Sequence, residues 1–443
     1  MGRFPGRKLS SFQIIIAGYL AVILIGTLLL ALPASSKTGH WTSFGEALFT
    51  ATSAACVTGL VLMDTAVYWS LFGQIVILVL IQIGGLGIIS VTAFILAASG
   101  KKISLLQRSL LQESISAHYV GGIVKMTGFI FKVAFAAELL GAAVMLPAFC
   151  SAFGLSGIWM ALFHSVSAFC NAGFDIMGEQ TGAFSSLTCF SDNLGVVLPV
   201  SLLILIGGIG FLTWDDLAVH GFRVKRYRMQ SKAILAVTAA LILIPAAVFY
   251  FRDFSGFGLK KRICLSVFQA ITPRTAGFST ADPASMSGAG QAVTIALMLV
   301  GGSPGSTAGG IKTTALAVLL ANAASVIRRK KSAQLFGRRI EDQTIKSAAT
   351  LLMMYLLFAL TGALVISAVD VLPFSLCLFE TVSAIGTVGL SLGITPSVGL
   401  LSRLILICLM FLGRVGGLTL MYAAVNSNGI EVAQRPVEKI NVG

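Results

Sequence analysis

Cys56-Val57-Thr58-Gly59-Leu60, Cys170-Asn171-Ala172-Gly173-Phe174, Arg274-Thr275-Ala276-Gly277-Phe278 and Gly386-Thr387-Val388-Gly389-Leu390 are four versions of one phrase. In each, two residues that are mostly small or β-branched precede a glycine, and a bulky apolar residue follows. Each phrase stands between two long apolar runs. An extended turn inside a bilayer exposes backbone carbonyls that lipid cannot satisfy, so it is tolerated only where it lines a protected or hydrated cavity. Four such turns in one chain predict a ring of carbonyls around one axis, which is how a cation filter is built.

Working outward, the segment before each glycine recurs as well. Phe49, Phe163 and Phe379 lie ten residues before their glycines and Phe268 nine; Ser53, Ser167 and Ser383 align, with Ile271 the exception. These segments are about three turns long and cannot span a bilayer. A short helix followed by an extended return limb is a re-entrant hairpin. The glycines are 114, 104 and 112 residues apart. Each unit therefore reads apolar helix, short helix, glycine phrase, apolar helix. The first helices are expected near 12–32, 126–149, 231–251 and 347–369, and the second near 70–97, 195–219, 291–325 and 400–424. Two spans return each unit to the side it started from, so the repeats are parallel, unlike the inverted repeats of many secondary transporters. The predicted fold is an all-α integral membrane protein with four such repeats, eight spanning helices and four re-entrant pore helices, in pseudo-fourfold arrangement around one pore. The expected units are 1–98, 99–220, 221–327, 328–425 and a cytoplasmic tail, 426–443.

Composition agrees. Of 443 residues 56% are hydrophobic and 11% charged, against about 25% charged in soluble domains; mean hydropathy is +0.92. The net charge of +14 raises nucleic acid as a partner, but its placement excludes that reading. Most basic residues cluster at 3–8, 101–125, 223–232 and 328–346, whereas 151–194 contain no Lys or Arg. This is the positive-inside pattern of a multi-pass plasma-membrane protein with a cytoplasmic N-terminus. Arg252, Lys260, Lys261, Arg262 and Arg274 depart from it, and the first four read as interfacial anchors. The apolar stretch 12–32 is too long for a signal-peptide core. The seven cysteines form no CxxC pair and read as small buried hydrophobes. The histidines form no ligand cluster, which predicts no metal centre.

Together with Thr272-Pro273 before the third phrase, Gly301-Gly302-Ser303-Pro304-Gly305-Ser306-Thr307-Ala308-Gly309-Gly310-Ile311-Lys312-Thr313-Thr314 and Phe411-Leu412-Gly413-Arg414-Val415-Gly416-Gly417, these phrases resemble the membrane subunit of the Ktr/Trk/HKT superfamily of potassium transporters over nearly the whole chain. With no extra helix pair before the first repeat, the chain looks like the Ktr type. The resemblance implies a homodimer with one pore per subunit, seated on a separately encoded cytosolic nucleotide-binding regulatory ring. No cofactor is expected in this chain, and potassium, with sodium as the second candidate, is the transported or activating ion.

The filter ligands would be carbonyls of Val57, Thr58, Asn171, Ala172, Thr275, Ala276, Thr387 and Val388, with Gly59, Gly173, Gly277 and Gly389 supplying backbone freedom. Close helix packing is the other reading of each glycine, and it explains four in register poorly. One shared glycine per repeat implies weaker discrimination against sodium than a two-glycine filter. Gly301, Gly302, Ser303, Pro304, Gly305, Ser306, Thr307, Ala308, Gly309 and Gly310 must break the third repeat's second helix; the resemblance makes this loop a gate just inside the filter. The loop mimics a phosphate-binding loop, but Lys312 comes one residue late and the strand–loop–helix context is missing. Arg414, near mid-span, is costly in a membrane. It is expected to face the pore and donate to carbonyls of the 301–310 loop, with snorkelling as the alternative; Lys312 is left between that role and an inner-interface anchor. Asp64, Asp175 and Asp282 follow filter phrases, where they either concentrate cations or hydrogen-bond their own hairpins. Glu380 reads as a hydrogen-bonding group behind the filter, Glu138 as half of a polar pair between helices, and Asp215 and Asp216 as solvated. The basic stretches 221–232 and 326–346 suit anionic lipid or the regulatory subunit. An ion-coupled secondary transporter is the alternative function, with few intramembrane ionisable groups to serve it. No Ser/His or His/Asp/Glu constellation in the spans suggests an enzyme.

Overall fold

The computed structural model describes residues 10–99, 103–114 and 122–417. The basic cluster at 3–8, Lys101, Lys102 and the tail 426–443 lie outside the described residues. Four helices are long and apolar enough to cross a bilayer: Ser11–Ala31, Ile123–Phe153, Met229–Phe251 and Asp342–Asp370. They match the four expected first helices. Their outward faces carry exposed apolar side chains such as Leu24, Leu28, Leu139, Leu243 and Leu364. Contiguous exposed apolar surface of this kind belongs against lipid, so the chain is a multi-pass membrane protein. Pro147 and Pro245 sit inside two of these helices, as membrane-spanning helices tolerate.

Each long helix packs on a short one that follows it: Phe44–Ala55, Ser156–Phe169, Leu259–Ile271 and Phe374–Gly386. They lie where the short re-entrant helices are expected. Ser43 caps the first by accepting from Glu46 N–H, the usual remedy for orphan amides at a helix start. The second helices then link the units in a cycle. Leu71–Leu86 packs on Ser156–Phe169, Leu194–Gly208 on Leu259–Ile271, Gly288–Leu299 on Phe374–Gly386, and Leu400–Val415 back on Phe44–Ala55.

The second helices depart from expectation. Those anticipated as continuous over 70–97 and 195–219 are broken: Leu71–Leu86 meets Ile88–Ala98 after a bend of 93°, and Leu194–Gly208 meets Phe211–His220 after a bend of 99°. Gly87 and Gly210 take φ of +84° and +91° at the breaks, which side-chain-bearing residues rarely adopt. Within the described residues the fourth helix likewise stops at Val415, before Gly416 at φ +92°. A further two-stranded hairpin, Gln334–Leu335 with Arg338–Arg339, lies among the basic residues of 326–346.

Candidate functional site

The four glycine phrases adopt one backbone shape. Val57, Asn171, Thr275 and Thr387 have φ of +57°, +58°, +65° and +52°, and the glycines two residues on are also left-handed. The turns close on one another in chain order. A Cβ built on Gly59 would lie 2.4 Å from Ala172 O, one on Gly173 2.8 Å from Ala276 O, one on Gly277 2.5 Å from Val388 O, and one on Gly389 2.1 Å from Thr58 O. This is a closed ring of four, in which each glycine faces the carbonyl that precedes the next. A pore-helix C-terminus, with its partial negative charge, ends at each turn. The hydroxyls of Thr58 and Thr387 are buried there without a hydrogen-bond partner among the described residues. The Asn171 amide nitrogen, in its better-satisfied orientation, donates to Ala168 O (3.0 Å) and Ile204 O (3.2 Å).

The aligned pore-helix hydroxyls hold the return limbs. Gly59 N–H and Gly389 N–H donate to Ser53 Oγ and Ser383 Oγ, each at 3.1 Å, and Ser167 Oγ donates to Phe174 O at 2.7 Å. In the third repeat Thr272 Oγ1 donates to Phe278 O at 2.5 Å. Thr272 therefore does the work for which Ile271 looked unsuited. The hairpin there is one residue shorter, which also explains why Phe268 sits nine residues before its glycine.

Behind the ring lies a second set of glycines that the sequence reading passed over. A Cβ on Gly84, Gly207 or Gly413 would fall about 2 Å from Ala55 O, Phe169 O or Ile385 O, each the carbonyl four residues before a ring glycine. Each is followed three residues later by a kink glycine. The G-G-x-G strings at 84–87 and 207–210, echoed at 413–416, were the available signal.

The 301–310 segment is irregular, largely buried and pressed against the ring. A Cβ on Gly309 would meet Thr387 Oγ1 at 2.2 Å and one on Gly301 would meet Thr275 Cγ2 at 3.1 Å. The segment is tied to the breaks of the other repeats. Ser303 N–H donates to Gly208 O (2.9 Å), Thr307 N–H to Gly207 O (3.2 Å), Phe211 N–H to Gly305 O (2.6 Å), and Gly310 N–H to Gly413 O (3.4 Å). Arg414, in the last turn of the Leu400–Val415 helix, donates through Nη1 to Thr307 O and through Nη2 to Gly84 O and Gly85 O, the last at 3.0 Å. The guanidinium thus clasps the loop to the broken end of the first repeat's second helix. Lys312 reaches back to the loop: its Nζ donates to Ala308 O at 2.7 Å.

The carboxylates divide by place. Asp64 accepts from Ala66, Val67 and Phe184 N–H, Asp175 from Met177 N–H, and Asp282 from Ala284 N–H. All three therefore cap their own turns, whatever they do for cations. Burial pushes the Asp175 carboxyl up to about 7; the Met177 N–H lowers it and neighbouring Asp64 raises it. The longer loop of the second repeat, around 178–190, ties neighbouring loops together: Lys37 pairs with Glu179 at 2.7 Å, and Leu187 N–H donates to Ser279 O at 3.0 Å. Glu380 is buried and accepts from Ser391 and Thr395 hydroxyls, the latter at 2.9 Å. Glu138 accepts from Gln82 Nε2 at 2.9 Å. Asp216 corrects its expectation: it is buried, and it accepts from Ser231 Oγ (2.6 Å) and Arg228 N–H (3.0 Å), while Asp215 pairs with Arg228 at the surface. Arg274 is buried beside the third turn, with Thr238 Oγ1 as its side-chain partner at 3.3 Å.

Residues 4–430 match the family described as TrkH, a cation transport protein. The chain is 39% identical to the potassium/sodium uptake protein NtpJ of Enterococcus hirae, over 99% of this chain and 98% of that one. It is 35% identical to the Ktr system potassium uptake protein B of Bacillus subtilis, over 93% and 92%. Among solved structures, the potassium transporter TrkH of Vibrio parahaemolyticus shares the fold, with a TM-score of 0.74, 19% identity, and coverage of 96% of this chain and 87% of that one.

Proposed function

The chain belongs to the TrkH cation transport family, and from that premise we propose that it is a potassium-uptake subunit conducting monovalent cations in a channel-like manner through the ring of Gly59, Gly173, Gly277 and Gly389. The observation that carries this reading is the closed ring itself, in which every glycine abuts the next turn's carbonyl. The ligands are carbonyls of Val57, Thr58, Asn171, Ala172, Thr275, Ala276, Thr387 and Val388. In a dry site such dipoles replace an ion's water. The cyclic packing of pore helices supports a pseudo-fourfold pore with eight spans, each bent or broken second helix counting as one, and unit boundaries near 98, 220, 327 and 425.

Gly301–Gly310 forms the gate. With the loop held against Thr275 and Thr387, an ion leaving the ring meets backbone and the Arg414 charge. Opening requires Arg414 to release Thr307 O and the loop to leave Gly207, Gly208 and Gly413. The resemblance to the Ktr type extends the reading to a homodimer regulated by a cytosolic nucleotide-binding ring, and the names of the potassium/sodium and potassium uptake relatives support potassium or sodium as the cargo. The basic ends of the Met229–Phe251 and Asp342–Asp370 helices support a cytoplasmic N-terminus by the positive-inside rule.

Rubidium-tracer uptake into proteoliposomes holding this chain alone tests the reading. Uptake blocked by potassium and weakly by sodium is the expected result. Absence of flux in wild type and also in Arg414→Ala with a shortened 301–310 loop would refute it.

A further inference from the structure

Beside the gate loop, at the end of the bundle where the basic stretches lie, is a cavity of about 1380 Å³. Its walls are the start of the Ile123–Phe153 helix, the 225–233 segment, the start of the Thr313–Ile327 helix and the 334–341 hairpin; Pro304 of the loop contributes to its lining. Seven Lys or Arg line it against two carboxylates, Asp215 and Glu341. Arg228 is spoken for by Asp215 and Asp216, and Arg339 by Asp342. Lys125, Lys225, Arg226, Lys232 and Arg338 form no ion pair among the described residues, although Lys232 donates to Lys225 O. Five cations without an ion pair, from three separate stretches of chain, converge on one hollow.

Topology alone places positive charge on this side of a membrane protein, but it does not gather it around a hollow. Apolar groups accompany the charges. Phe336, at the hairpin tip, lines the cavity and is 54% exposed; Phe222, close in sequence to Lys225 and Arg226, is fully exposed. Basic side chains interleaved with exposed aromatics suit the boundary between headgroups and acyl chains. Basic pockets between membrane helices on the cytoplasmic side bind anionic headgroups.

We propose that this cavity binds the phosphate of an anionic phospholipid headgroup from the inner leaflet, through Lys225, Arg226, Arg338 and Lys125. The site takes from the proposed function only that this end faces the cytoplasm. Because Pro304 contributes to its lining, an occupant touches the flank of the gate loop.

The test is native mass spectrometry and thermal-shift titration of the full-length chain in detergent with phosphatidylglycerol, so that neither readout depends on ion flux. The cavity variant is Lys225→Gln with Arg226→Gln and Arg338→Gln. The control variant, Arg223→Gln with Lys331→Gln and Lys346→Gln, removes equal charge from the same side outside the cavity. Wild type and control are expected to retain bound phosphatidylglycerol, and the cavity variant to lose affinity by roughly a hundredfold. Arg338→Gln alone, on the exposed hairpin and clear of helix packing, is expected to lose roughly fivefold and guards against misfolding of the triple variant. Inorganic phosphate and phosphatidylcholine are the other arms. Phosphate that displaces the lipid and stabilises the protein by itself would keep the anion site but overturn its lipid source. Equal loss in cavity and control variants, or undiminished lipid in the cavity variant, would overturn the proposal.

Discussion

Gly59→Ala is the sharpest perturbation of the ring. The new methyl would lie 2.4 Å from Ala172 O and 3.2 Å from Gly173 Cα. An ordinary carbon–oxygen contact is about 3.3–3.6 Å, so the Ala172 carbonyl must retreat by about 1 Å. The backbone at φ +90° adds about 1–2 kcal/mol for any residue with a Cβ. Relaxing about 1.4 kcal/mol of this strain through the ring equals a tenfold change in preference between two ions. The expected result is a potassium-over-sodium preference lowered about tenfold, with protein still assembled, read as sodium competition against rubidium uptake in proteoliposomes. Gly182→Ala separates clash from backbone strain: it sits at φ +106° with nothing within 4 Å of a built Cβ, and it should leave the preference unchanged. If Gly59→Ala competes like wild type, the ring does not select ions and the argument fails.

Other outcomes follow from neighbouring geometry. Arg414→Gln loses the clasp between Thr307 O and Gly84 O, so basal uptake should rise; an unchanged leak in single-channel or tracer assays would remove Arg414 from the gate. Thr272→Val deletes the hydroxyl that holds the third return limb, so it should erode selectivity while Ile271→Val, one position earlier, does not. Glu380→Leu takes the shared acceptor from the Ser391 and Thr395 hydroxyls, leaving them only each other as acceptors, and should cost about 1–3 kcal/mol of stability, measured by thermal unfolding in detergent. The Asp175 carboxyl, pushed up to about 7 chiefly by burial, takes its proton more readily folded than unfolded. Its contribution to stability is thus greatest below the ordinary carboxylate range and is lost as pH rises through 7. Its charge at the outer mouth runs the other way, so uptake should fall as external pH drops through 7, and Asp175→Asn should flatten that dependence.

The ring was legible because its constraint is written in residue type. A left-handed turn squeezed against a neighbouring carbonyl admits glycine alone, and that leaves four glycines in register. The pore-helix serines were visible for the same reason, and the one misfit, Ile271, marked a hairpin shortened by a residue. The kinks were not read, although G-G-x-G at 84–87 and 207–210 encodes them, because the apolar runs continue through both and hydropathy does not register a change of direction. Asp216 looked solvated from its place at the end of a run; its burial depends on Ser231 and Arg228 arriving from the next helix, a long-range meeting no local pattern announces. Arg414 was expected to reach the loop, but its second hold, on Gly84 O, joins residues 330 positions apart.

The account stands on an ion being held by the carbonyls of Thr58, Ala172, Ala276 and Val388. A crystal grown with thallium or rubidium in place of potassium tests this most directly. Anomalous density on the axis inside the ring, weakened in Gly59→Ala, is the predicted result. A ring without density, with the heavy ion bound elsewhere in the molecule, would contradict it.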